Sequence, residues 1–485
     1  MHSYKSLRFR LERDDISALL QHPLLGGTPK RRRVHQTIFD TPTLSLSELG
    51  IQVDEIRVLR KSVLTVRQSV PEEQIWAAPT TPGTFDFSTL IDAPETAELL
   101  SQFTSALIPI YLTDIGIRQW AVQIRCAQVE VSLEQGELIT DREGQQRTLP
   151  ICELEFRLIS GQAAALYGVA RLLSRQVRLH PIRESFHDRA MAFRANKPIL
   201  PAKAKRIRID PKNPSVQIFK HIAWQCVDQL TANEEGIYTS DCVEFIHQAR
   251  VALRRLRTAL RLFNTELPAG FSDKWSQAWK DVGEQLGNAR NWDVFCAEML
   301  PAIEIDLGSH PDMAHLKQFS LAQRDTARTN TQAWLRGRRY SLTLIAFHEA
   351  LLMLPERNST RISEFASQAL KKRYKRFCRG ARIAHTLSVE ARHEVRIELK
   401  KLRYTLDFFE SLYGQKQLQS FFHALAETQE VLGHMNDLAT CEILLSLRPD
   451  HPFDLPVAWA RGRMSAYIDM LPSALKPVLS AKVPW

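Results

Sequence analysis

The sequence predicts an α+β multidomain protein, in which an N-terminal antiparallel β-barrel or tunnel is followed by an all-α domain. Three observations lead to this fold class. Apolar and polar residues alternate with a period of two in several segments before residue 197. Almost every segment after residue 215 has the 3.6-residue period of an amphipathic helix. The helical part also resembles itself at an offset of 146 residues, which indicates an internal duplication.

The N-terminal strands are predicted where every second residue is polar. They lie at 7–11, 56–60, 63–67, 123–125, 129–133 and 151–158, and a helix is predicted at 163–173. In the last of these strands Glu153, Glu155 and Arg157 lie on one face. Antiparallel strands with polar residues at alternate positions are typical of a barrel with a charged interior.

The C-terminal part is predicted to form antiparallel helices joined by short loops, as in a helical bundle. These helices lie at 215–231, 243–263, 275–300, 311–335, 338–353, 361–384, 389–413, 416–446 and 455–470. The chain thus divides into a domain at 1–197, a linker at 198–214 and a helical domain at 215–485, with repeats at about 215–355 and 361–485. The linker is rich in proline and in cations, which favours an extended segment; its cations either solubilise it or extend a neighbouring basic surface.

The helix predicted at 243–263 has one strongly basic face. Its polar positions recur at steps of three and four, which places them on one side of a helix: His247, Arg250, Arg254, Arg257 and Arg261. An apolar stripe follows the same rhythm one position earlier, so one face packs while the next one gathers positive charge.

The second copy of this helix lies 146 residues further on. The residues His393, Arg396, Lys400, Lys401 and Arg403 correspond to His247, Arg250, Arg254, Arg255 and Arg257. The same offset aligns Leu286-Gly287 with Leu432-Gly433. Two segments that agree at one offset predict two similar helical subdomains that face each other.

The charge is concentrated in the helical part. Of the net charge of +10, residues 1–200 carry +1 and residues 201–485 carry +9. A basic domain of this kind indicates a polyanionic partner, such as nucleic acid, an anionic membrane or polyphosphate. Between residues 371 and 382 no acid occurs, and Lys372, Arg376 and Arg379 lie on one helical side. The alternative for any such face is a surface that water alone solvates.

The cysteines and the chain's hydropathy indicate a reducing, cytoplasmic environment. The seven cysteines are scattered and form no CxxC pair, which argues against a disulfide framework or a zinc site. The N-terminus has no apolar signal segment, and no apolar run approaches the length needed to span a bilayer. We therefore expect no membrane partner.

The N-terminal part resembles the CYTH family of triphosphate tunnel enzymes. The landmarks are Phe39-Asp40-Thr41-Pro42, Val129-Glu130-Val131 and Cys152-Glu153-Leu154-Glu155. In that family a Glu-x-Glu-x-Lys strand supplies two metal ligands and a triphosphate contact, but this chain has Tyr4, Ser6 and Arg8 there. The family's Arg-x-Arg strand falls near Gln52 and Asp54, so those cations are also lost. The tunnel residues retained by this resemblance are Arg8, Arg67, Arg118, Glu130, Glu153 and Glu155.

The C-terminal part resembles the CHAD family. The resemblance rests on His247-x-x-Arg250-Val251-x-x-Arg254-Arg255-Leu256-Arg257, on Leu286-Gly287-x-x-Arg290-x-x-Asp293, and on the copies of both motifs. One departure is Asn291, where members usually have aspartate. The resemblance implies two four-helix subdomains around a groove that binds inorganic polyphosphate. The residues predicted to bind are His247, Arg250, Arg254, Arg255, Arg257, Arg290, Lys372, Arg376, Arg379, His393, Arg396, Lys400, Lys401 and Arg403.

Three functions follow from these resemblances and from the charge. The leading hypothesis is a binding module for inorganic polyphosphate with a degenerate tunnel domain, with an expected location in the cytoplasm at polyphosphate granules. It needs no cofactor. The second is an active inorganic triphosphatase, which would bind triphosphate and need Mg²⁺ held by Glu153 and Glu155. The third is sequence-independent binding of nucleic acid through its phosphates. The two histidines could instead be core residues or, less in keeping with their arginine neighbours, metal ligands.

Overall fold

A computed structural model describes residues 6–69, 74–142, 144–182, 184–308, 310–355, 360–447, 453–483 and 485. The chain forms two compact units, a sheet unit at Met1–Pro198 and a helical unit at Ile199–Trp485. This order, an antiparallel sheet followed by helices, confirms the predicted fold class.

In the residues that the structure describes, the sheet unit is built on nine antiparallel strands. They are β1 (Ser6–Leu11), β2 (Lys30–Asp40), β3 (Ile51–Val58), β4 (Lys61–Gln68), β5 (Gln74–Thr80), β6 (Ile108–Ile124), β7 (Ala127–Arg142), β8 (Gln145–Ser160) and β9 (Leu179–Ile182). Their order in the sheet is β5-β4-β3-β2-β6-β7-β8-β1-β9. The helices are α1 (Ile16–Leu20), α2 (Ser45–Glu48), α3 (Phe87–Leu90), α4 (Pro94–Phe103), α5 (Ala164–Leu173) and α6 (Phe186–Arg194).

Both faces of this sheet are covered, and α6 lies on the face that carries the charged residues. On the other face Val53 and Val66 pack with α3 and α4. On the charged face Ala190 of α6 packs among Ile117 and Ile151. The helix α6 contacts side chains of both β6 and β8.

The helical unit contains twelve α-helices in the described ranges. They are α7 (Ser215–Thr231), α8 (Glu234–Thr239), α9 (Val243–Leu262), α10 (Phe271–Ala278), α11 (Lys280–Val294), α12 (Leu300–Leu307), α13 (Asp312–Leu335), α14 (Arg338–Met353), α15 (Ile362–Ala381), α16 (Val389–Phe409), α17 (Gln415–Leu445) and α18 (Asp454–Ser480). A π-helical turn, Phe295–Met299, joins α11 to α12. The helix expected at 275–300 is therefore interrupted twice, at this turn and at Trp279, whose ψ of 0° breaks the helix.

The segment predicted as a linker packs onto the helical unit. Residues 199–210 have no regular secondary structure, but Ile207 is fully buried and Ile209 nearly so in the core of the helices. Arg206 pairs with Glu410 at 2.6 Å. The apolar residues between the cations thus fix the course of this segment, which sequence composition alone describes only as extended.

Candidate anion-binding cavity

The helical unit contains a cavity of about 640 Å³ between helices of its two halves. Side chains of α9, α11, α16 and α17 and of the π-helical turn line it. Eight lining residues are basic: His247, Arg250, Arg254, Arg290, His393, Arg396, Lys400 and Arg403. Only two described lining residues are acidic, Asp407 and Asp437. The cavity is therefore strongly cationic.

The helices α9 and α16 present these cations because each buries the neighbouring stripe. In α9 the side chains of Ile246, Leu253 and Leu260 are almost completely buried. In α16 Leu399 and Leu406 are fully buried at the corresponding positions. A helix turns 3.6 residues per turn, so fixing the apolar stripe also fixes the direction of the basic face.

Gly287 of α11 makes room for one of the cations. A Cβ atom at this position would lie 2.3 Å from Nη1 of Arg250, which is far inside contact distance. Gly283, one turn earlier, lies beside Arg257, whose Nη1 would be 3.6 Å from an added Cβ. Gly433, the copy of Gly287, has no atom within 4 Å of such a Cβ. The duplicated Leu-Gly motif thus has a steric role in one half alone.

The side chains of the second half are oriented by polar partners. Arg396 donates from Nη1 to Oδ1 of Asn436 at 2.7 Å. Arg403 donates from Nε to Asp407 at 2.8 Å, and its guanidinium lies 4.5 Å above the ring of Phe422. These contacts hold the two arginines at the wall of the cavity.

The cations that line the cavity lower one another's pKa. Burial, with repulsion by Arg254, Arg396 and Arg250, lowers the pKa of Lys400 to about 6. Burial and neighbouring arginines also lower the pKa of Arg250 and Arg396. The pKa of His247 is lowered by burial and by Arg290, so this imidazole is largely neutral at pH 7 when the cavity is empty. Burial is the largest cause of all four shifts, and repulsion by neighbouring cations adds to it.

Two predicted binding residues lie on another face of their helices. Arg255 is 3% exposed and donates to Gln229 at 3.1 Å, with its guanidinium 5.5 Å from the ring of Phe408. Lys401, its copy, donates to Glu398 at 2.7 Å. Both were predicted to bind polyphosphate, but neither lines the cavity, because each follows its basic neighbour by one position and so points about 100° away.

The basic cluster of α15 and Arg257 also lie outside the cavity lining. Lys372 and Arg379 are exposed, and Arg376 pairs with Glu398 at 3.4 Å. Arg257 lies one turn beyond Arg254, and its buried Nε has no hydrogen-bond partner in the described part of the chain. The stretch from 371 to 382 contains no acid, but the neighbouring helix α16 supplies Glu398. The local sequence does not reveal this partner, because it lies in another helix.

Several lining residues were not predicted. The π-helical turn contributes Phe295 and Met299, and α17 contributes Gln429 and Thr440. No local signal marks them, since a π-helical turn depends on packing around the helix. Asp293, part of the predicted motif, instead accepts from Arg324 and Arg328 of α13, both at 3.1 Å, and is completely buried. It anchors α13 to α11.

In the sheet unit, Arg8 contacts two of the predicted acids, Glu153 and Glu155, and a third acid, Glu134. Its guanidinium lies 2.6 Å from Glu134, 3.4 Å from Glu153 and 3.6 Å from Glu155. Arg189 of α6 makes two further hydrogen bonds to Glu153, at 2.6 and 3.0 Å. Sequence reasoning did not single out Glu134 or Arg189. Ser6 is exposed, whereas Tyr4 lies outside the described residues.

The other tunnel candidates are separated from this cluster. Arg67 lies 4.0 Å from Asp54, and Glu130 pairs with Arg157 at the end of β7. Arg118 is wrong as a tunnel residue: it is in register with Leu133, and alternate residues of a strand point to opposite faces, so it lies on the face opposite Glu134. The described residues contain no group of three or more His, Cys, Asp or Glu that could hold a metal ion.

Comparison with known proteins shows that the helical unit is similar to CHAD domains. The family model of the CHAD domain matches residues 221–446. The crystal structure of the CHAD domain from the plant Ricinus communis is 27% identical; the match covers 59% of this chain and 99% of that chain, with a TM-score of 0.51. PptA from Streptomyces chartreusis is 16% identical over 56% of this chain and 99% of its own, with a TM-score of 0.42.

The sheet unit has weaker structural neighbours. One is a candidate adenylyl cyclase from Hippeastrum with a dominant triphosphatase activity. It is 13% identical, and the match covers 40% of this chain and 97% of that chain with a TM-score of 0.25. Among the described helices of this chain, none is both long and apolar enough to cross a bilayer.

Proposed function

We propose that the helical unit, whose residues 221–446 match the family model of the CHAD domain, binds inorganic polyphosphate in its basic cavity. The observation that supports this most is the convergence of eight basic residues from both halves on one cavity with two acids. Buried like charges are costly unless anions neutralise them. A chain of phosphates supplies one charge per unit and many oxygen acceptors for arginine forks and the Lys400 amine.

The composition of the lining favours a phosphate chain over a single-stranded nucleic acid. Binding of single strands relies on aromatic side chains on which bases stack. The two aromatic lining residues in the described chain are Phe295, which is 1% exposed, and Tyr404. A polyphosphate has no base to accommodate, so it meets the cations without that requirement.

Charge reversal tests this proposal. The double variant R250E/R254E places two acids in the cavity, and we expect it to abolish binding of long-chain polyphosphate to the full chain. The matched control is K372E/R379E, which makes the same change of charge at exposed positions of α15 outside the cavity. Circular dichroism establishes that both variants are folded. Equal loss in both variants would assign the binding to net charge, and unchanged binding in the first would reject the cavity.

Competition distinguishes polyphosphate from nucleic acid. At physiological salt we expect long-chain polyphosphate to displace duplex DNA from the full chain, and duplex DNA to displace little polyphosphate. The opposite ranking would favour the alternative of sequence-independent nucleic-acid binding.

We further propose that the sheet unit has lost triphosphatase catalysis. Phosphoryl transfer depends on metal ions and free cations placed around the phosphates. Here Arg8 and Arg189 are engaged with Glu153, and a serine stands at position 6. We expect no phosphate release from tripolyphosphate with Mg²⁺. Turnover that E153A abolishes would establish the alternative, an active triphosphatase.

A further inference from the structure

The helical unit contains a second cavity, of about 360 Å³, next to the basic one. It lies between the first turns of α16, the second half of α17 and Met464 of α18. Its apolar lining consists of Val389, Leu432, Met435, Ala439, Ile443 and Met464. Its volume is within the range of small-molecule pockets, roughly 300–1,000 Å³.

The wall between the two cavities is polar. His393, Arg396, Asn436 and Thr440 line both cavities. Arg396 is 9% exposed and donates one hydrogen bond, from Nη1 to Asn436. Its Nε is buried and has no hydrogen-bond partner among the residues described. A buried charged donor without an acceptor is unfavourable, so Nε of Arg396 can donate a hydrogen bond to a bound anion.

The remaining lining restricts the charge of a ligand. Glu390, Glu394 and Arg392 also border the second cavity; Arg392 donates to the carbonyl oxygen of Leu387 at 2.6 Å, and the apolar residues cannot solvate repeated charges. A polyphosphate would be repelled by these acids and desolvated by the apolar walls. A ligand with one negative charge and an aliphatic chain fits this lining, because its carboxylate can accept from Arg396 while its chain contacts the apolar side chains.

We propose that this second cavity binds a monoanionic aliphatic amphiphile, such as a medium-chain carboxylate, with its carboxylate at Arg396 and His393 and its chain against Met435, Ile443 and Met464. Because Arg396 and His393 line both cavities, such a ligand competes with the anion in the basic cavity for the same donors. This competition, unlike the binding itself, rests on the function proposed above.

Octanoate is a suitable probe, titrated into the full chain by calorimetry. We expect saturable binding with one site and no binding of octan-1-ol, which lacks the charge. The variant I443E places an acid in the second cavity alone, at a residue that is 63% exposed, so folding is retained. It should weaken octanoate binding at least tenfold and leave polyphosphate binding unchanged. The control M470E changes a residue that is 54% exposed in α18 and lines neither cavity, and it should bind octanoate like the wild type.

The outcomes are separable from those of the first proposal. Failure of octanoate to bind the wild type, or equal binding by I443E, overturns the second site. Saturation with long-chain polyphosphate should lower the affinity for octanoate severalfold, and an unchanged affinity overturns the competition. If octanoate binds while polyphosphate does not, the proposed function fails and the second site stands.

Discussion

At the level of single residues, Lys400 responds most strongly to the state of the cavity. Its ammonium group is buried among Arg250, Arg254 and Arg396, and Asp437 is the one acid that offsets their repulsion. These surroundings lower its pKa from 10.5 to about 6, so most of the amine is neutral at pH 8 in the empty cavity. A bound polyanion would favour the charged form, and binding would then take up a proton.

Binding of long-chain polyphosphate should therefore strengthen as the pH falls from 9.5 to 8. One proton taken up per binding event changes the affinity by about tenfold per pH unit. The measurement is the dissociation constant of the full chain across this range, in which histidines contribute little. The variant K400R retains a charge throughout, so we expect its affinity to vary little with pH; an equally steep slope in K400R would assign the proton to another group.

The lowered pKa of Lys400 also predicts how the stability of the ligand-free chain depends on pH. The unfolded chain binds a proton at Lys400 up to pH 10.5, whereas the folded chain releases it above about pH 6. The unfolded state thus binds more protons in this interval, so the free energy of unfolding contributed by Lys400 rises with pH. Urea denaturation at pH 6.5 and 8.5 should show this rise in the wild type and a smaller one in K400M.

At the level of elements, the two copies of the Leu-Gly motif show how far the duplication extends. Gly287 has no Cβ where the guanidinium of Arg250 lies, whereas Gly433 faces open space. Sequence comparison of the two halves gives both glycines the same role. Only the packing of α11 against α9 makes one of them sterically necessary.

The pair G287A and G433A tests this difference. In G287A the new methyl group should displace the guanidinium of Arg250 and weaken polyphosphate binding about tenfold, comparable to the loss of one charge-assisted hydrogen bond. In G433A binding should be unchanged and the free energy of unfolding should rise by about 1 kcal/mol, because alanine favours a helix over glycine. Equal affinities in the two variants would contradict the steric role of Gly287.

Several elements of the sheet unit escaped sequence analysis, and β2 and α6 show the physical reasons. The strand β2 begins with Lys30, Arg31, Arg32 and Arg33, and four consecutive cations hide the alternation on which a strand prediction depends. The helix α6 is short and has no clear apolar face, since it packs Ala190 against the sheet while Arg189 and Phe186 meet charged residues. Its helical state depends on those tertiary contacts.

At the level of the whole molecule, an anion would act as a stabilising component of the helical unit. The two halves bring their cations together at the cavity, so repulsion between them opposes folding when the cavity is empty. Ligand that binds only the folded state stabilises it by mass action, by about 2.7 kcal/mol at one hundred times the dissociation constant.

We expect long-chain polyphosphate to raise the Tm of the full chain by roughly 5–10 °C at that concentration. Added salt should reduce both this shift and the affinity, because binding releases counterions. Differential scanning calorimetry with R250E/R254E is the control, and the same shift in that variant would show that the anion acts elsewhere.

The sequence by itself determined the fold class, the extents of most helices and the two helices that carry the basic face. It could do so because the 3.6-residue period and the 146-residue repeat are properties of the chain alone. The tertiary structure decided which cations reach the cavity. Arg255 and Lys401 belong to the same motifs as Arg254 and Lys400 but meet Gln229 and Glu398 instead. A single helical step of about 100° separates a cavity residue from a packed one, and only the neighbouring helices fix that direction.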